Sequence, residues 1–397
     1  MPSATPGLLR TMNAQAILHA LHERGPLSRA ALARVLQISL PTVTQIVDAL
    51  LGADCLVTVA EAVPSGGRPA ATVGLNPLYA EVLVVDVGGS RVKAGRFDFC
   101  GRLAAQEVVP TAIPGTASQV SELIQGLASK SARARCVVLG APGFVQDGVV
   151  VEAANIPDWR GLSLTDALAG ALPGHYIVDN DVNLATLGEF RYGAGRGVSH
   201  LVFVTLGTGL GAGLIIDNRL VRGASGAAGE IGFLVPDRAL LETSGGPGGI
   251  LESRASTTGL QRLWAERYPD QPLDAAEIVT GARRGSADMQ AIVREWAHLL
   301  ASAFIAVSAI ANPQRLVVGG GGSAAFDLLQ PEIQPLLNRH VPFPPDLVVS
   351  ELGDQAALYG GLELGLSWLL HAIPEQEAAV AHRRWEAGEE DAARAKF

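Results

Sequence analysis

The stretch Leu206-Gly207-Thr208-Gly209-Leu210-Gly211-Ala212-Gly213 is a glycine-rich turn that directly follows an apolar run. Two similar turns follow predicted strands, namely Asp86-Val87-Gly88-Gly89-Ser90 and Val318-Gly319-Gly320-Gly321-Gly322-Ser323. Glycine lets the backbone approach a phosphate closely and present N–H groups to it. One such turn between strands is usually only a turn. Three of them at strand ends predict a phosphate-binding α/β body, in which Asp86 would hold Mg²⁺ through water.

The segments around these turns predict two related α/β halves. The first half has expected strands at 81–87, 92–99 and 103–110, followed by a helix near 117–129 and a strand at 136–139. The second half has expected strands at 176–178, 200–206, 212–217 and 316–318, with helices at 182–192 and 296–311. Strands that begin as a meander and then alternate with helices are typical of two lobes with a cleft between them.

The N-terminal residues predict a separate small domain. Three short helices are expected at 13–23, 29–36 and 41–51, with a four-residue turn at 37–40. Ser28 suits a helix cap, and Pro41 suits a first helical turn. Expected strands at 56–59 and 71–75 flank a glycine-rich bend, which completes the order of a winged helix-turn-helix. An ordinary three-helix packing unit is the alternative interpretation.

The third helix of this domain is the expected DNA-reading element. Its apolar residues recur at helical spacing, which leaves a polar face for the major groove. We expect Thr42, Thr44 and Gln45 to read bases. The other residues expected at DNA are Arg29, Arg34, Ser39 and Arg68. The arginines among them would contact the backbone or the minor groove.

Composition excludes several classes of protein. The chain has 397 residues, of which 48% are hydrophobic and 17% charged, so disorder over most of it is excluded. The longest apolar run has about 13 residues, too short for a bilayer, and no secretory signal is visible. Cys55, Cys100 and Cys136 predict neither a disulfide framework nor a metal pair. We therefore expect a cytoplasmic protein. Its net charge is −9, but residues 1–75 carry +1, which permits specific docking on DNA.

A second set of residues is polar and suits hydroxyl-rich ligands. It consists of Asn155, Asn180, Asp181, Glu230 and Glu252. Carboxylates and amides bind sugar hydroxyls, and an aspartate that faces a hydroxyl can act as general base in phosphoryl transfer. The alternative for Asp181 is a helix N-cap, and spacing alone favours neither.

The sequence resembles the ROK family of sugar kinases and sugar-responsive repressors, in the repressor form with a winged helix. The resemblance covers about residues 10–370. It is carried by the turn at 86–90, by Asn180-Asp181-Val182-Asn183, by the segment 207–213 and by 319–322. It implies an α/β chain with an actin-like ATPase (ribonuclease H-like) fold in two lobes. It also implies that Asp181 is the base, if the chain is an active kinase, and that the polar set lines a sugar site. The residues implied at ATP are Asp86, Gly88, Gly89, Ser90, Gly207, Thr208, Gly209, Gly320 and Gly321.

One departure from the family concerns a structural zinc. The family usually has a histidine and three cysteines at the positions of Phe233, Thr243, Gly245 and Ile250. Zn²⁺ needs a full set of nitrogen and sulfur donors. We therefore expect no zinc at this site. Phe233 also takes the place of a histidine that helps to hold the sugar in the family.

The expected organisation is a winged helix-turn-helix at 1–76, a first lobe at 77–182, a second lobe at 183–371 and a charged tail at 372–397. The chain is expected to return to the first lobe near its C-terminal end. The leading hypothesis is a sugar-sensing transcriptional repressor that binds a pseudo-palindromic DNA operator as a homodimer or a dimer of dimers. The alternatives are an ATP-dependent sugar kinase with an accessory DNA-binding module and a constitutive DNA-binding protein with a decayed ligand site.

Overall fold

The computed structural model describes residues 6–59, 71–153 and 156–374. The helices are α1 (Pro6–Arg24), α2 (Arg29–Leu36), α3 (Leu40–Gly52), α4 (Thr116–Ser129), α5 (Leu164–Leu168), α6 (Asp181–Tyr192), α7 (Gly249–Ala255), α8 (Thr257–Arg267), α9 (Ala275–Arg283), α10 (Ala287–Ala311), α11 (Phe326–His340) and α12 (356–374). The strands are β1 (Leu27–Ser28), β2 (Leu56–Val59), β3 (Thr72–Leu75), β4 (Glu81–Val87), β5 (Arg91–Asp98), β6 (Leu103–Pro110), β7 (Ala134–Ala141), β8 (Phe144–Gln146), β9 (Val149–Glu152), β10 (His175–Asn180), β11 (Leu201–Leu206), β12 (Leu210–Ile216), β13 (Arg219–Val221), β14 (Arg315–Gly319) and β15 (Asp346–Val349).

The N-terminal domain is the expected winged helix-turn-helix. Ser28 caps α2 by accepting a hydrogen bond from the backbone N–H of Ala31, and Ser39 caps α3 in the same way from Thr42. The buried face of α3 packs against α1 and α2, while β1, β3 and β2 form a small antiparallel sheet. Helix α1 is longer than expected at its N-terminal end. The bend expected at 64–69 lies outside the described residues.

The body consists of two lobes built on sheets of the same strand order. The first sheet runs β6-β5-β4-β7-β10, and the second runs β13-β12-β11-β14-β15. In each sheet the first three strands along the chain pair antiparallel, and the last two add in parallel. This repeat is the two-lobed architecture that the sequence predicts.

The structure adds elements that the sequence pattern did not resolve. The hairpin β8–β9 and the helices α5, α7, α8 and α9 are additions to the expected elements, and α10 begins nine residues before the predicted start at 296. Short helices with Gly-rich approaches have weak periodicity, and a hairpin of three- and four-residue strands is too short to show a clear alternation.

Helix α12 brings the C-terminal part of the chain back to the first lobe. Its apolar residues lie in one hydrophobic cluster together with residues of β4 and β5 and with the core of the winged helix-turn-helix. Helices α10 and 353–374 are long and apolar enough to span a membrane, but 56% and 61% of their apolar windows are buried inside the protein. They therefore serve as core helices of the second and first lobes.

Candidate ligand cleft

The carboxyl ends of strands from both sheets meet at a cavity of about 270 Å³. Strand β10 ends there at Asn180 and β11 at the turn after Leu206, while Gly89 follows β4. Ligand sites in α/β folds lie at this edge because the connecting loops converge there. The expected site residues that line the cavity are Gly89, Asn180, Asp181, Gly207, Thr208, Gly209, Glu230 and Glu252. Asn155 lies outside the described residues.

Asn180, and not Asp181, is the N-cap of α6. The Asn180 side chain accepts a hydrogen bond of 3.0 Å from the N–H of Asn183 and donates one of 2.9 Å to the carbonyl of Gly143. Asp181 is the first helical residue, and its carboxylate accepts from the N–H of Val182 at 2.9 Å. The N-cap interpretation of Asp181 is therefore wrong, because the preceding residue performs that function. The Asp181 carboxylate lies at the cavity.

A half-buried ion pair that the sequence did not reveal supports this corner, with Asp179 buried and Arg222 47% exposed. Asp179 accepts hydrogen bonds from Nε and Nη2 of Arg222 at 3.0 and 2.6 Å. Its other oxygen accepts from Nδ2 of Asn183 at 2.9 Å and from the N–H of Asn180. The bidentate contact joins β10 to the segment after β13 and fixes the start of α6. The sequence does show Asp179 at a strand end directly before Asn180. It does not show that the partner of Asp179 is Arg222, which is 43 residues away.

The second lobe supplies two carboxylates through a glycine-rich insertion. Glu230 follows Gly229, which has a φ of +91° and lies so close to the carbonyl of Ala212 that a Cβ would be 2.0 Å from it. Glu252 lies on α7 and accepts a hydrogen bond of 2.9 Å from the N–H of Leu210. Glu252 thus binds the glycine-rich segment 206–213 directly.

Burial raises the pKa of three carboxyl groups at the cleft, those of Asp181, Glu230 and Glu252. The pKa of Asp181 rises to about 8, first because of desolvation and then because Asp86 and Glu230 lie nearby. The pKa of Glu230 rises to about 7 through desolvation and the charge of Glu252, whose own pKa is also raised by desolvation. Groups that change protonation near neutral pH are common at ligand and catalytic sites.

Two of the three glycine turns line the cleft, through Gly89 and through 207–209, whereas the residues of the third turn, Gly320 and Gly321 among them, do not. Gly88 donates its N–H to the carbonyl of Arg91, and the backbone N–H of Thr111 donates to the carbonyl of Ser90. Gly320 packs on the carbonyl of Leu206, which places its turn beside 207–209. Gly207 and Gly321 have no atom within 4 Å of the position of a Cβ, so space is open in front of them. Such open space at two adjacent glycine turns leaves room for a phosphate group.

Asp86 lies at the end of β4 beside a lysine. Its carboxylate is 4.0 Å from Nζ of Lys93, which also donates a hydrogen bond of 2.5 Å to the carbonyl of Asp354. Desolvation raises the pKa of Asp86 to about 6, although Lys93 opposes the shift. The role expected for Asp86 with Mg²⁺ stays a prediction.

The profile of the ROK family matches residues 82–367, almost the whole two-lobed body. The chain belongs to the ROK family. The profile of the MarR family matches residues 11–56, within the winged helix-turn-helix.

Individual relatives of this ROK chain fall into two groups. The glucokinase of Halalkalibacterium halodurans is 30% identical over 325 residues, which cover 75% of this chain and 96% of the relative. The xylose repressor of Caldicellulosiruptor bescii is 24% identical over 394 residues, which cover 93% of this chain and 98% of the relative. A crystal structure of a ROK family transcriptional regulator, a homolog of the E. coli MLC protein, has a TM-score of 0.80 at 21% identity and covers 93% of this chain and 99% of its own. The Streptomyces griseus ROK glucokinase in complex with glucose and AMPPNP has a TM-score of 0.62 at 30% identity, with 72% and 99% covered.

The residues at the zinc positions of this ROK chain do not fit a zinc ion. Phenylalanine, glycine and isoleucine have no side-chain donor, and threonine is a poor one. A Cβ at Gly245 would lie 2.1 Å from the backbone nitrogen of Ile250, so this position has no room for a cysteine. Among the described residues, no group of three or more His, Cys, Asp or Glu is arranged to hold a metal ion. Close backbone packing joins Gly245 to Ile250 and Gly249 to Phe233.

Phe233 extends the cleft with an apolar surface. Its ring is 47% exposed and lies 6.1 Å from the ring of Phe144, centroid to centroid. Both rings line the cavity. The pair adds an apolar surface to a cavity that carboxylates also line, which suits a ligand with polar and apolar parts.

The polar face of α3 is exposed, with Gln45 at its centre. The Thr44 hydroxyl donates to the carbonyl of Leu40 at 2.8 Å, and the hydroxyls of Ser39 and Thr42 lie 2.7 Å apart. Arg29 forms an ion pair of 2.6 Å with Asp48 of α3. Gln45 has the most accessible of the side chains expected to read bases. Arg68 lies outside the described residues.

Proposed function

We propose that this chain is a sequence-specific DNA-binding regulator, a repressor, whose ROK body binds a sugar or sugar-derived effector and alters operator binding. The observation that carries the proposal is an exposed polar face on α3 of a winged helix-turn-helix, in the same chain as a carboxylate-lined cleft. A recognition helix presents such side chains to base edges in the major groove. The cleft supplies the second site that regulation requires.

The share of this chain that aligns with relatives of each group supports this choice. The xylose repressor aligns with 93% of the chain, including the N-terminal domain, whereas the glucokinase aligns with 75%. A DNA-binding domain has no part in sugar phosphorylation itself. Its presence on this chain favours regulation over catalysis alone.

The chemistry of the cleft supports a hydroxyl-rich ligand. Asp181 and Glu230 have pKa values of about 8 and 7, so they donate or accept hydrogen bonds near neutral pH. Sugar hydroxyls both donate and accept, and the less polar face of a sugar ring packs on aromatic rings such as Phe233. The Asn155, Asn180, Asp181, Glu230 and Glu252 set is therefore the proposed sugar site.

Regulation follows if the ligand prefers one arrangement of the two lobes, because equal affinity for both would shift nothing. A dimer would present two winged helices to the two halves of a pseudo-palindrome. Closing the cleft would then change the spacing of these two helices. The change in spacing would weaken operator binding.

The test is fluorescence polarisation on a labelled duplex from upstream of the protein's own gene, at fixed salt because phosphate contacts make affinity salt-dependent. Gln45→Ala should weaken specific binding by about 5- to 150-fold, the effect of one lost base contact of roughly 1–3 kcal/mol. The control is Gln125→Ala, an exposed glutamine on α4. Equal binding by both variants would contradict the proposal. A panel of sugars in the same assay tests the effector, and binding that no sugar affects would favour a decayed site.

The kinase alternative rests on a specific observation, the raised pKa of Asp181. A carboxylate that titrates near pH 8 is suited to accept a proton from a sugar hydroxyl. The turns at 207–209 and 319–322 would hold the phosphates of ATP. The terminal phosphoryl group of ATP would be transferred to the sugar hydroxyl, which leaves ADP. A coupled assay of ADP release with D-glucose tests this alternative. Turnover that Asp181→Asn abolishes would support it, and no turnover in the unaltered chain would reject it for that sugar.

A further inference from the structure

Helix α6 runs from the ligand cleft to the DNA-binding domain. Its first residues, Asp181 and Val182, line the cavity, and the preceding Asn180 caps it. Its last residues are Arg191 and Tyr192. Twelve helical residues span about 18 Å at 1.5 Å per residue. The helix is therefore a rigid link between the cleft and whatever its C-terminal end contacts.

The C-terminal end of α6 contacts Glu363 of α12. The Glu363 carboxylate accepts a hydrogen bond of 2.8 Å from Nε of Arg191 and one of 2.9 Å from the hydroxyl of Tyr192. The same carboxylate lies 3.7 Å from Nε2 of His22 on α1 of the DNA-binding domain. Arg191 also lies 3.7 Å from Glu23 of α1. Three elements thus meet at one acidic side chain.

This contact is largely shielded from water. The Glu363 side chain is only 12% exposed, and His22 is 14% exposed. Burial alone would raise the pKa of Glu363, but His22 at 3.7 Å, the charge and hydrogen bond of Arg191 and the hydrogen bond of Tyr192 together lower it to about 2. Glu363 is therefore charged at neutral pH. Removing one partner of a buried charged group is costly, which makes the contact sensitive to the position of each element.

The remaining contacts between α1 and α12 do not reach α6. Gln15 donates to the carbonyl of His371 at 3.0 Å, and the rings of His19 and His371 pack edge to face. The apolar cluster that α1 and α12 share holds the two helices together, but burial of apolar surface does not fix their relative orientation. The described polar contacts that link α1 to α6 both involve Arg191, which pairs directly with Glu23 and shares the Glu363 carboxylate with His22.

We propose that Glu363 is a positioning residue that fixes the orientation of the DNA-binding domain on the ROK body and couples it to α6. A displacement at the cleft end of α6 then moves Arg191 and Tyr192, and through Glu363 it moves α1. This inference rests on the proposed function, because it describes how a ligand in the cleft reaches the operator. The orientation itself is a property of the chain without DNA or ligand and is measured separately.

The first experiment measures the orientation in the full-length chain. Spin labels are placed at exposed positions of α3 and α4 by Ala49→Cys and Ser129→Cys, with the exposed Cys100 changed to serine. Glu363→Gln should broaden the distribution of distances between the labels. The matched control is Glu332→Gln, a glutamate that also pairs with an arginine and a histidine, Arg294 and His298, but within the second lobe. Equal distributions in the two variants would overturn the proposal.

Arg191→Met is the second variant, in case Glu363→Gln does not fold. It removes the charge from the α6 side of the contact and retains an apolar chain of similar length. It should broaden the same distribution. Circular dichroism confirms that each labelled variant is folded before its distances are compared.

The second experiment measures coupling, with D-xylose and D-glucose as probes and a duplex selected from random sequence. Glu363→Gln should retain DNA affinity without sugar but reduce the sugar-induced change, from the roughly 5- to 150-fold typical of allosteric coupling towards onefold. A full response to sugar in this variant would overturn the proposal. If the unaltered chain does not bind any selected duplex, the proposed function fails, and the distance measurement alone decides the positioning role of Glu363.

Discussion

The first strand of each lobe ends in an equivalent position, but the residues there differ in charge. In the first lobe Asp86 stands two residues before Gly88, and Lys93 of the next strand lies beside it. In the second lobe Thr205 stands two residues before Gly207, and Glu252 from outside the sheet binds the turn. The two sheets have the same strand order but different charged groups at this position. The first lobe has an Asp–Lys pair within the sheet, and the second lobe has a carboxylate from a helix outside the sheet.

The source of this difference is the connection that follows the meander. In the first lobe α4 joins β6 to β7, and the connection holds no residue that lines the cleft. In the second lobe the segment between β13 and α10 supplies Glu230, Phe233 and Glu252. Repeated sheets therefore provide a frame, and the chemistry comes from what is inserted at their carboxyl ends.

The largest effect is expected where the insertion of the second lobe is packed most tightly. Gly249 has a φ of +89°, and a Cβ there would lie 2.4 Å from the carbonyl oxygen of Gly232. Gly249→Ala should lower the free energy of unfolding by about 2–5 kcal/mol, because backbone strain and overpacking add. Gly246→Ala is the control, with a φ of +75° and nothing within 4 Å. Equal losses in urea denaturation would show that the close packing is unimportant.

A smaller difference in stability is expected between matching tryptophan substitutions in the cores of the two lobes. Trp296 in the second lobe donates its indole N–H to the carbonyl of Ala255 at 2.7 Å, whereas the buried indole N–H of Trp159 in the first lobe has no partner among the residues that the structure describes. Trp296→Phe should therefore cost about 1–3 kcal/mol more stability than Trp159→Phe, because it leaves a buried carbonyl unpaired. Thermal and urea unfolding of both variants measure the difference. A greater loss for Trp159→Phe would reverse this comparison.

The pH dependence of stability should distinguish Asp86 from Asp181. A carboxyl group whose pKa is raised by folding binds more protons in the folded state, so stability falls as pH rises between the two pKa values. For Asp181 that window runs from about 4 to about 8, and for Asp86 from about 4 to about 6. The melting temperature of Asp181→Asn, measured relative to the unaltered chain, should increase as the pH rises to about 8. That of Asp86→Asn should increase only until about pH 6. If neither difference in melting temperature changes with pH, the raised pKa values are contradicted.

The smallest expected effect concerns metal removal from the insertion of the second lobe. Because backbone packing joins Gly245 to Ile250 and Gly249 to Phe233, treatment with EDTA followed by dialysis should leave the melting temperature unchanged. Elemental analysis for zinc on the untreated protein accompanies the measurement. A fall in melting temperature that zinc restores would show that a metal stabilises this segment after all.

Much of the local structure was predictable from the sequence. The expected helix at 29–36 and the strands at 56–59, 81–87 and 103–110 are confirmed residue by residue. Ser28 caps α2 as expected. These signals are local, because a cap, a turn or an apolar period involves residues within a few positions of each other. The ROK resemblance then extended them to a two-lobed fold, which the structure confirms.

The sequence by itself did not determine the full lining of the cleft, because Phe144, Glu152 and Thr205 also border it. It did determine that glycine turns and carboxylates stand at strand ends. Only the tertiary structure decided what supports them. The pairing of Asp179 with Arg222 and the contact of Arg191 with Glu363 join residues 43 and 172 positions apart. No local pattern specifies such a partner, because it depends on how the sheets and helices pack. For the same reason Asn180 rather than Asp181 caps α6, since the end of β10 sets where the helix begins.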